Sequence, residues 1–272
     1  MAQQTTGAAA SAAPVSVQSV RGTMSDAELA AWLAGSAGAE LMRIRDAVGF
    51  ADVAALKAAG DRGSHELLVA ELARLRPDDA VLSEEGRDDP VRLTAERVWI
   101  VDPLDGTREF AEEGRSDWAV HVALWAGGDL IAGAVALPAD GTVYGTATPL
   151  PAMAPEPATP IRVAASRTRP PAFLRTLCER IGAVEVPMGS AGAKIIAVVS
   201  GVVDAYVHAG GQYEWDSAAP VAVARAAGLH TSRVDGSPLV YNRADPTLPD
   251  LVVCRPDLAD RILGQLHDID LA

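Results

Sequence analysis

The fold is decided by the stretch Arg97-Val-Trp-Ile-Val-Asp-Pro-Leu-Asp-Gly-Thr-Arg-Glu-Phe110. Its β-branched and aromatic run over 98–101 predicts a buried strand. The strand runs into Asp102, and Asp105 then enters a turn signal with Gly106. Two carboxylates therefore leave a strand end, where ligands lie in α/β folds. Carboxylate and carbonyl oxygens suit Mg²⁺, and free amides of a glycine turn suit phosphate. A plain acidic turn at a strand end is the alternative for this short motif.

A second acidic stretch, Glu214-Trp-Asp-Ser-Ala-Ala-Pro-Val-Ala-Val-Ala-Arg-Ala-Ala-Gly228, lies in the second half of the chain. It predicts a helix over Asp216–Ala227, with Asp216 at the N-terminus. Pro220 is expected in the first turn, where a helix does not need a backbone donor. The simple interpretation of Asp216 is a helix N-cap, which stabilises by about 1 kcal/mol.

Taken together, the two stretches resemble the signatures of the inositol monophosphatase superfamily of Mg²⁺-dependent, Li⁺-sensitive phosphatases. Asp102-Pro-Leu-Asp-Gly-Thr107 is similar to the metal-binding motif, and Trp215-Asp216 with its downstream Ala-Gly is similar to the C-terminal motif. Thr107-Arg-Glu-Phe110 and Glu214-Trp-Asp216 resemble the 3′(2′),5′-bisphosphate nucleotidase branch more than the inositol branch. The resemblance extends over about residues 25–270.

The resemblance implies an α/β (α+β) fold, a layered αβαβα sandwich in two lobes with the site between them. We expect a disordered tail over 1–23 and an N-terminal α+β lobe over 24–150 that carries most of the metal ligands. A proline-rich linker over 151–160 would lead to a C-terminal α/β lobe over 161–272. The second half alternates predicted strands and helices, which is typical of βαβ units.

The resemblance also assigns roles to individual residues. Two or three Mg²⁺ ions would be bound by these ligands: Glu84, Asp102, the Leu104 carbonyl, Asp105 and Asp216. Asp61 and Thr107 would form the catalytic pair that orients and deprotonates a water. Substrate would contact these residues: Gly106, Thr107, Ser166, Arg167, Ser190 and Lys194. Arg167 has the geometry to hold a phosphate through two parallel hydrogen bonds.

Several of these residues also have simpler interpretations. Glu84-Glu85 on its own would be a solvated acidic loop, and a lone helical Lys194 would face solvent. Asp61 is expected at the start of a helix, although Lys57-Ala-Ala-Gly-Asp61 departs from the pattern of the superfamily. His121 and His208 have no metal-ligand spacing, so we expect them to be structural.

The activity that the resemblance implies is removal of the 3′-phosphate from adenosine 3′,5′-bisphosphate (PAP), giving AMP and phosphate. The sulfated relative PAPS would likewise give APS, and the enzyme would serve sulfate assimilation. An inositol monophosphatase or fructose-1,6-bisphosphatase, acting as a broad sugar phosphatase, is the alternative within the superfamily. A non-catalytic metal- or nucleotide-binding regulator is the alternative of another class.

Composition limits the remaining choices. The net charge of -13 argues against a general nucleic-acid-binding surface. Cys178 and Cys254 lie in apolar sequence, which suits buried thiols in a reducing cytoplasm. No apolar stretch has the length of a membrane-spanning helix. The expected partner is a small phosphorylated nucleotide, and the frequency of dimers in the superfamily makes a homodimer the assembly to test.

Overall fold

The computed structural model describes residues 24–154 and 156–271, so the tail expected over 1–23 lies outside it. The helices in this part of the chain are α1 Asp26–Val48, α2 Val53–Leu75, α3 Thr107–Phe110, α4 Ala172–Ile181, α5 Ala191–Val199, α6 Glu214–Ala226 and α7 Ala259–Leu266. The strands are β1 Ala80–Ser83, β2 Arg97–Asp105, β3 Ala119–Ala126, β4 Asp129–Leu137, β5 Thr142–Gly145, β6 Ile161–Ser166, β7 Ala183–Met188, β8 Ala205–Tyr213, β9 His230–Ser232 and β10 Thr247–Cys254. Short 3₁₀ turns cover Pro90–Leu93, Pro138–Asp140 and Pro256–Leu258.

The ten strands of the described residues form two five-stranded sheets. The first has the order β1-β2-β3-β4-β5, in which only the β1–β2 pair is parallel. The second has the order β7-β6-β8-β10-β9, with β6 parallel to β7 and β8 and with β10 antiparallel to both of its neighbours. The βαβ expectation therefore holds for β6, β7 and β8, while β9 and β10 complete the sheet in the opposite direction.

Strand β2 explains how the layers are stacked. Its side chains alternate between the two faces of the sheet. Trp99 and Val101 pack with α1 and α2, whereas Val98 and Ile100 pack with α5 and α6. Helices α5 and α6 contact the second sheet on their other side, and α4 and α7 cover its far face. The layers follow the order helix, sheet, helix, sheet, helix, which confirms the expected αβαβα sandwich.

Two local predictions are wrong. Helix α2 begins at Val53, where Asp52 accepts the Ala55 amide at 3.0 Å, so Asp61 lies inside the helix and not at its start. Helix α6 begins at Glu214, which places Pro220 beyond the first turn. A proline there lacks the amide that would bond the carbonyl four residues earlier, at Asp216.

Among the described residues, no helix combines the length and the apolar character needed to cross a membrane.

Candidate active site

The end of β2 brings two aspartates beside the first turn of α6. The β2–β3 pairing is irregular between Asp102 and Asp105, so this part of the strand departs from the regular ladder. Carboxylate oxygens of Asp102, Asp105 and Asp216 all lie within 4.8 Å of one another. Asp102 and Asp105 are buried, at 1% and 8% exposure. Three of the predicted metal ligands, two from β2 and one from α6, therefore lie close together.

Glu84 lies beside this cluster, at the end of β1, but it is not among the three carboxylates that meet within 4.8 Å. The parallel pairing places Ser83 opposite Val101, and the Glu84 amide donates to the Val101 carbonyl at 3.3 Å. The residue as a whole is exposed, and its carboxyl lies near that of Asp102. Burial of the carboxyl raises the pKa of Glu84 to about 7, and the charges of Asp216 and Asp105 act in the same direction.

The cluster is electrostatically crowded. Burial, followed by the charges of Glu84 and Asp105, raises the pKa of Asp102 well above its usual range. Burial, followed by the charge of Asp105, raises the pKa of Asp216 to about 6. Clustered buried carboxylates are costly unless protons or cations neutralise them.

Asp105 is the exception in this cluster. Burial would raise its pKa, but His121, the Gly192 amide and the Lys194 charge together hold it below the usual value. Its oxygens accept the amides of Ala191 at 3.3 Å and Gly192 at 2.6 Å, at the first turn of α5. The structure therefore keeps Asp105 ionised.

The donor set fits a hard divalent cation. Asp102 Oδ2 is buried, and no hydrogen-bond partner for it is found in the described part of the chain. Its other oxygen accepts the Leu104 amide at 3.0 Å. The Leu104 carbonyl faces Thr107, whose hydroxyl lies 3.2 Å away. Carboxylate and carbonyl oxygens of this kind are the ligands of Mg²⁺ and Ca²⁺.

The predicted catalytic pair is present next to the cluster. The Thr107 hydroxyl lies 3.4 Å from Asp61 Oδ1. Burial, followed by the charge of Glu85, raises the pKa of Asp61 to about 6. Gly106 lets the chain turn between the ligands and Thr107, with φ of 87°. A Cβ at Gly106 would approach the Ser190 Cβ to 2.9 Å, so glycine is needed for close packing as well as for its dihedral angle.

The predicted substrate residues separate into two groups. Ser166 and Lys194 line a cavity of about 440 Å³ that also contains Asp105 and Asp216. Gly106, Thr107, Ser166 and Ser190 line an adjacent cavity of about 290 Å³. The Ser190 hydroxyl is used as the cap of α5, because it accepts the Ala193 amide at 2.9 Å.

The two predicted cations are already paired. The Lys194 ammonium donates to the carbonyls of Gly189 and Ser190, and its burial lowers its pKa. Arg167 donates to Glu109 and Glu112, each at 2.8 Å. The structure therefore does not bring Arg167 to a cavity as a free phosphate ligand.

Sequence reasoning missed His121, which is fully buried beside the carboxylates. Its Nε2 lies 3.2 Å from Asp105 Oδ2, and its Nδ1 lies 3.0 Å from the Trp215 carbonyl. It therefore connects the end of β2 with α6. The sequence did indicate which way His121 points. Alternation along β3 puts Val120 and Val122 on the face toward α1 and α2, so His121 must lie on the opposite face of the sheet.

Comparison with known proteins agrees with this architecture. The model of the Inositol monophosphatase family matches residues 26–271, and the chain belongs to that family. A 3′-phosphoadenosine 5′-phosphate phosphatase of Mycobacterium leprae (strain TN) is 52% identical over 257 residues, covering 90% of this chain and 95% of the relative. The 3′(2′),5′-bisphosphate nucleotidase CysQ of Escherichia coli (strain K12) is 32% identical over 226 residues, covering 77% and 91%. The solved structure of Mycobacterium tuberculosis SuhB superposes with a TM-score of 0.69 at 27% identity, covering 89% of this chain and 95% of that one.

Proposed function

We propose that this protein is a Mg²⁺-dependent phosphatase that hydrolyses the 3′-phosphate of PAP to give AMP and phosphate. The observation that carries the proposal is the cluster of Asp102, Asp105 and Asp216, with the Thr107–Asp61 pair beside it. The nucleotide substrate is supported by the relative at 52% identity, which is a 3′-phosphoadenosine 5′-phosphate phosphatase. Removal of the same phosphate from PAPS, giving APS, extends the activity within sulfate assimilation.

The carboxylates would hold two or three Mg²⁺ ions, with Glu84 and the Leu104 carbonyl completing the ligand set. When bound, the cations supply charge stabilisation for the scissile phosphate and for the attacking and leaving oxygens. The protein itself would position the substrate. The backbone amides of Gly106 and Thr107 come directly after Asp105 at the end of β2 and would donate hydrogen bonds to phosphate oxygens. Phosphate esters hydrolyse extremely slowly in water, so this electrostatic contribution must be large.

Thr107 and Asp61 would activate the attacking water. The Thr107 hydroxyl has two acceptors within reach, the Leu104 carbonyl at 3.2 Å and Asp61 Oδ1 at 3.4 Å. With the Leu104 carbonyl serving as a metal ligand, the hydroxyl would donate to Asp61 and accept a hydrogen bond from water. Asp61, whose pKa burial raises to about 6, is ionised at neutral pH and can take the proton. Water then attacks phosphorus and gives one proton to Asp61 through Thr107. The bond from phosphorus to the 3′-oxygen breaks, and that oxygen takes a proton from solvent to leave as a hydroxyl. No covalent enzyme intermediate is required.

The domain division, the assembly and the compartment are further parts of the proposal. The lobes over 24–150 and 161–272 would fold around the site, joined through 151–160. Two free, buried thiols at Cys178 and Cys254 support a reducing compartment such as the cytoplasm. A homodimer is proposed from its frequency in the superfamily.

The test is phosphate release with Mg²⁺ from PAP, inositol 1-phosphate and fructose 1,6-bisphosphate side by side, with and without Li⁺. We expect a strong preference for PAP and inhibition by Li⁺. Comparable rates on the sugar phosphates would support a broad phosphatase instead, and no release from any substrate would support a non-catalytic regulator. Asp105→Asn should abolish turnover with the fold intact, whereas Asp140→Asn, at an exposed aspartate of a turn, should match the wild type.

A further inference from the structure

Arg169 lies on the substrate side of the site, and its side chain has no partner within the described part of the chain. Its amide donates to the Ser166 hydroxyl at 3.2 Å, which fixes the backbone of the loop after β6. Its side chain is exposed, and no hydrogen bond or ion pair of its guanidinium is found among residues 24–154 and 156–271. Arg169 also borders both cavities, so it lies where they meet.

The other cations near the site are less suited to a second anionic group. Arg167 is held by two glutamates, and Lys194 is buried against two backbone carbonyls. Arg108 borders the smaller cavity but not the larger one. Among the described residues that line the larger cavity, Arg169 and Lys194 supply the permanent positive charges, and only Arg169 has its donors available.

The larger cavity has the character of a nucleoside site. Pro171 and Leu174, at the start of α4, give it an apolar side. Gly210 and Gly211 border it without side chains, both in the left-handed region with φ of 83° and 77°. A volume of about 440 Å³ is within the range of small-ligand sites. A flat base suits a cavity with an apolar side and exposed glycine backbone, and Asp105 and Asp216 of the carboxylate cluster line the same cavity.

We propose that Arg169 is a specificity-determining residue that binds the second, 5′-phosphate of a nucleoside 3′,5′-bisphosphate. This inference rests on the proposed function. It names the residue by which the enzyme would distinguish a nucleoside bisphosphate from a substrate with a single phosphate. The second phosphate lies on the far side of the ribose from the phosphate being hydrolysed, away from the carboxylate cluster. A guanidinium presents parallel donors that match phosphate oxygens, and it is always charged. In a chain with a net charge of -13, such a free cation is the feature that makes this edge of the site attractive to an anion.

The experiment compares adenosine 3′,5′-bisphosphate with adenosine 3′-phosphate, which lacks only the second phosphate, at saturating Mg²⁺. We expect Arg169→Ala to lower kcat/KM for the bisphosphate about 10- to 100-fold more than for the monophosphate, mainly through KM. Arg169→Lys should recover part of this preference, because it keeps the charge but not the paired donors. Arg175→Ala is the matched control, because Arg175 is an exposed arginine of α4 that lines neither cavity.

The outcomes separate the two proposals. Equal losses on both substrates for Arg169→Ala would overturn the assignment and leave the proposed function standing. A larger selective loss for Arg108→Ala than for Arg169→Ala would also overturn it, by placing the second phosphate in the smaller cavity. If the wild type hydrolyses neither nucleotide, the proposed function fails and the inference fails with it.

Discussion

Raising the pH from 5 to 8 should destabilise the metal-free protein, because its active-site carboxylates must then ionise together. Burial, reinforced by neighbouring charges, raises the pKa of Asp216 and of Asp61 from 3.8 to about 6. A group whose pKa is raised on folding stabilises the native state below its unfolded pKa. That contribution is lost as the pH rises through the folded value. The loss should therefore occur between about pH 4 and about pH 7.

The size of the effect follows from the shifts. One pKa unit corresponds to about 1.4 kcal/mol, so a shift of about two units at Asp216 is worth about 3 kcal/mol in all, of which about half is lost above pH 5. Asp61 adds a similar amount, whereas Glu84 adds less because the residue is exposed and water screens its charge. His208, whose pKa burial lowers, offsets part of the loss because it favours the native state at higher pH. We expect a net loss on the order of 3 kcal/mol in the free energy of unfolding between pH 5 and pH 8.

The assay is urea unfolding in the presence of a chelator at several pH values from 5 to 8. Asp216→Asn should make the metal-free protein more stable than the wild type at pH 8 and should reduce the dependence on pH. Added Mg²⁺ should stabilise the wild type far more at pH 8 than at pH 5. Metal-free stability that is flat or rises over this range would refute the electrostatic reasoning, as would an Asp216→Asn variant that is less stable at pH 8.

Three further substitutions test individual parts of the site. Thr107→Val keeps the shape but removes the hydroxyl beside Asp61, so kcat should fall about 100-fold or more in a phosphate-release assay while Mg²⁺ binding is retained. Gly192→Ala would place a Cβ 2.0 Å from His121 Nε2, so activity should fall and the melting temperature should drop; unchanged values would contradict this close contact. Glu214→Ala removes a fully buried carboxylate that accepts two backbone amides at 2.7 and 2.8 Å, and denaturant unfolding should show a loss of about 3 to 5 kcal/mol.

Local sequence was enough to predict the strand that ends in Asp102 and Asp105, because a β-branched run and a turn motif are read within a few residues. The five-layer architecture came from the resemblance, and the packing of Val98 and Trp99 on opposite faces of β2 confirms it. The start of α2 was missed because the alanine-rich segment before Asp61 carries weak periodicity. Helix boundaries of this kind depend on a cap, here Asp52, as much as on hydrophobic spacing.

The substrate side was harder to predict, for a physical reason. Whether an arginine is free depends on the carboxylates that tertiary structure brings to it. Arg167 is paired with Glu109 and Glu112, more than fifty residues away in the sequence, whereas Arg169 is unpaired within the described part of the chain. His121 lies opposite Asp102 in the β2–β3 register, a relation that depends on strand pairing and not on any motif.

The most direct test of the account is a Mg²⁺ titration of phosphate release from PAP by protein that has first been stripped of metal. We predict no release without added metal and a saturable rise with Mg²⁺, and we predict that Asp105→Asn removes the rise without unfolding the protein. Release from PAP that is independent of metal, or a Mg²⁺ response that survives Asp105→Asn, would contradict the claim that this carboxylate cluster binds the catalytic cations.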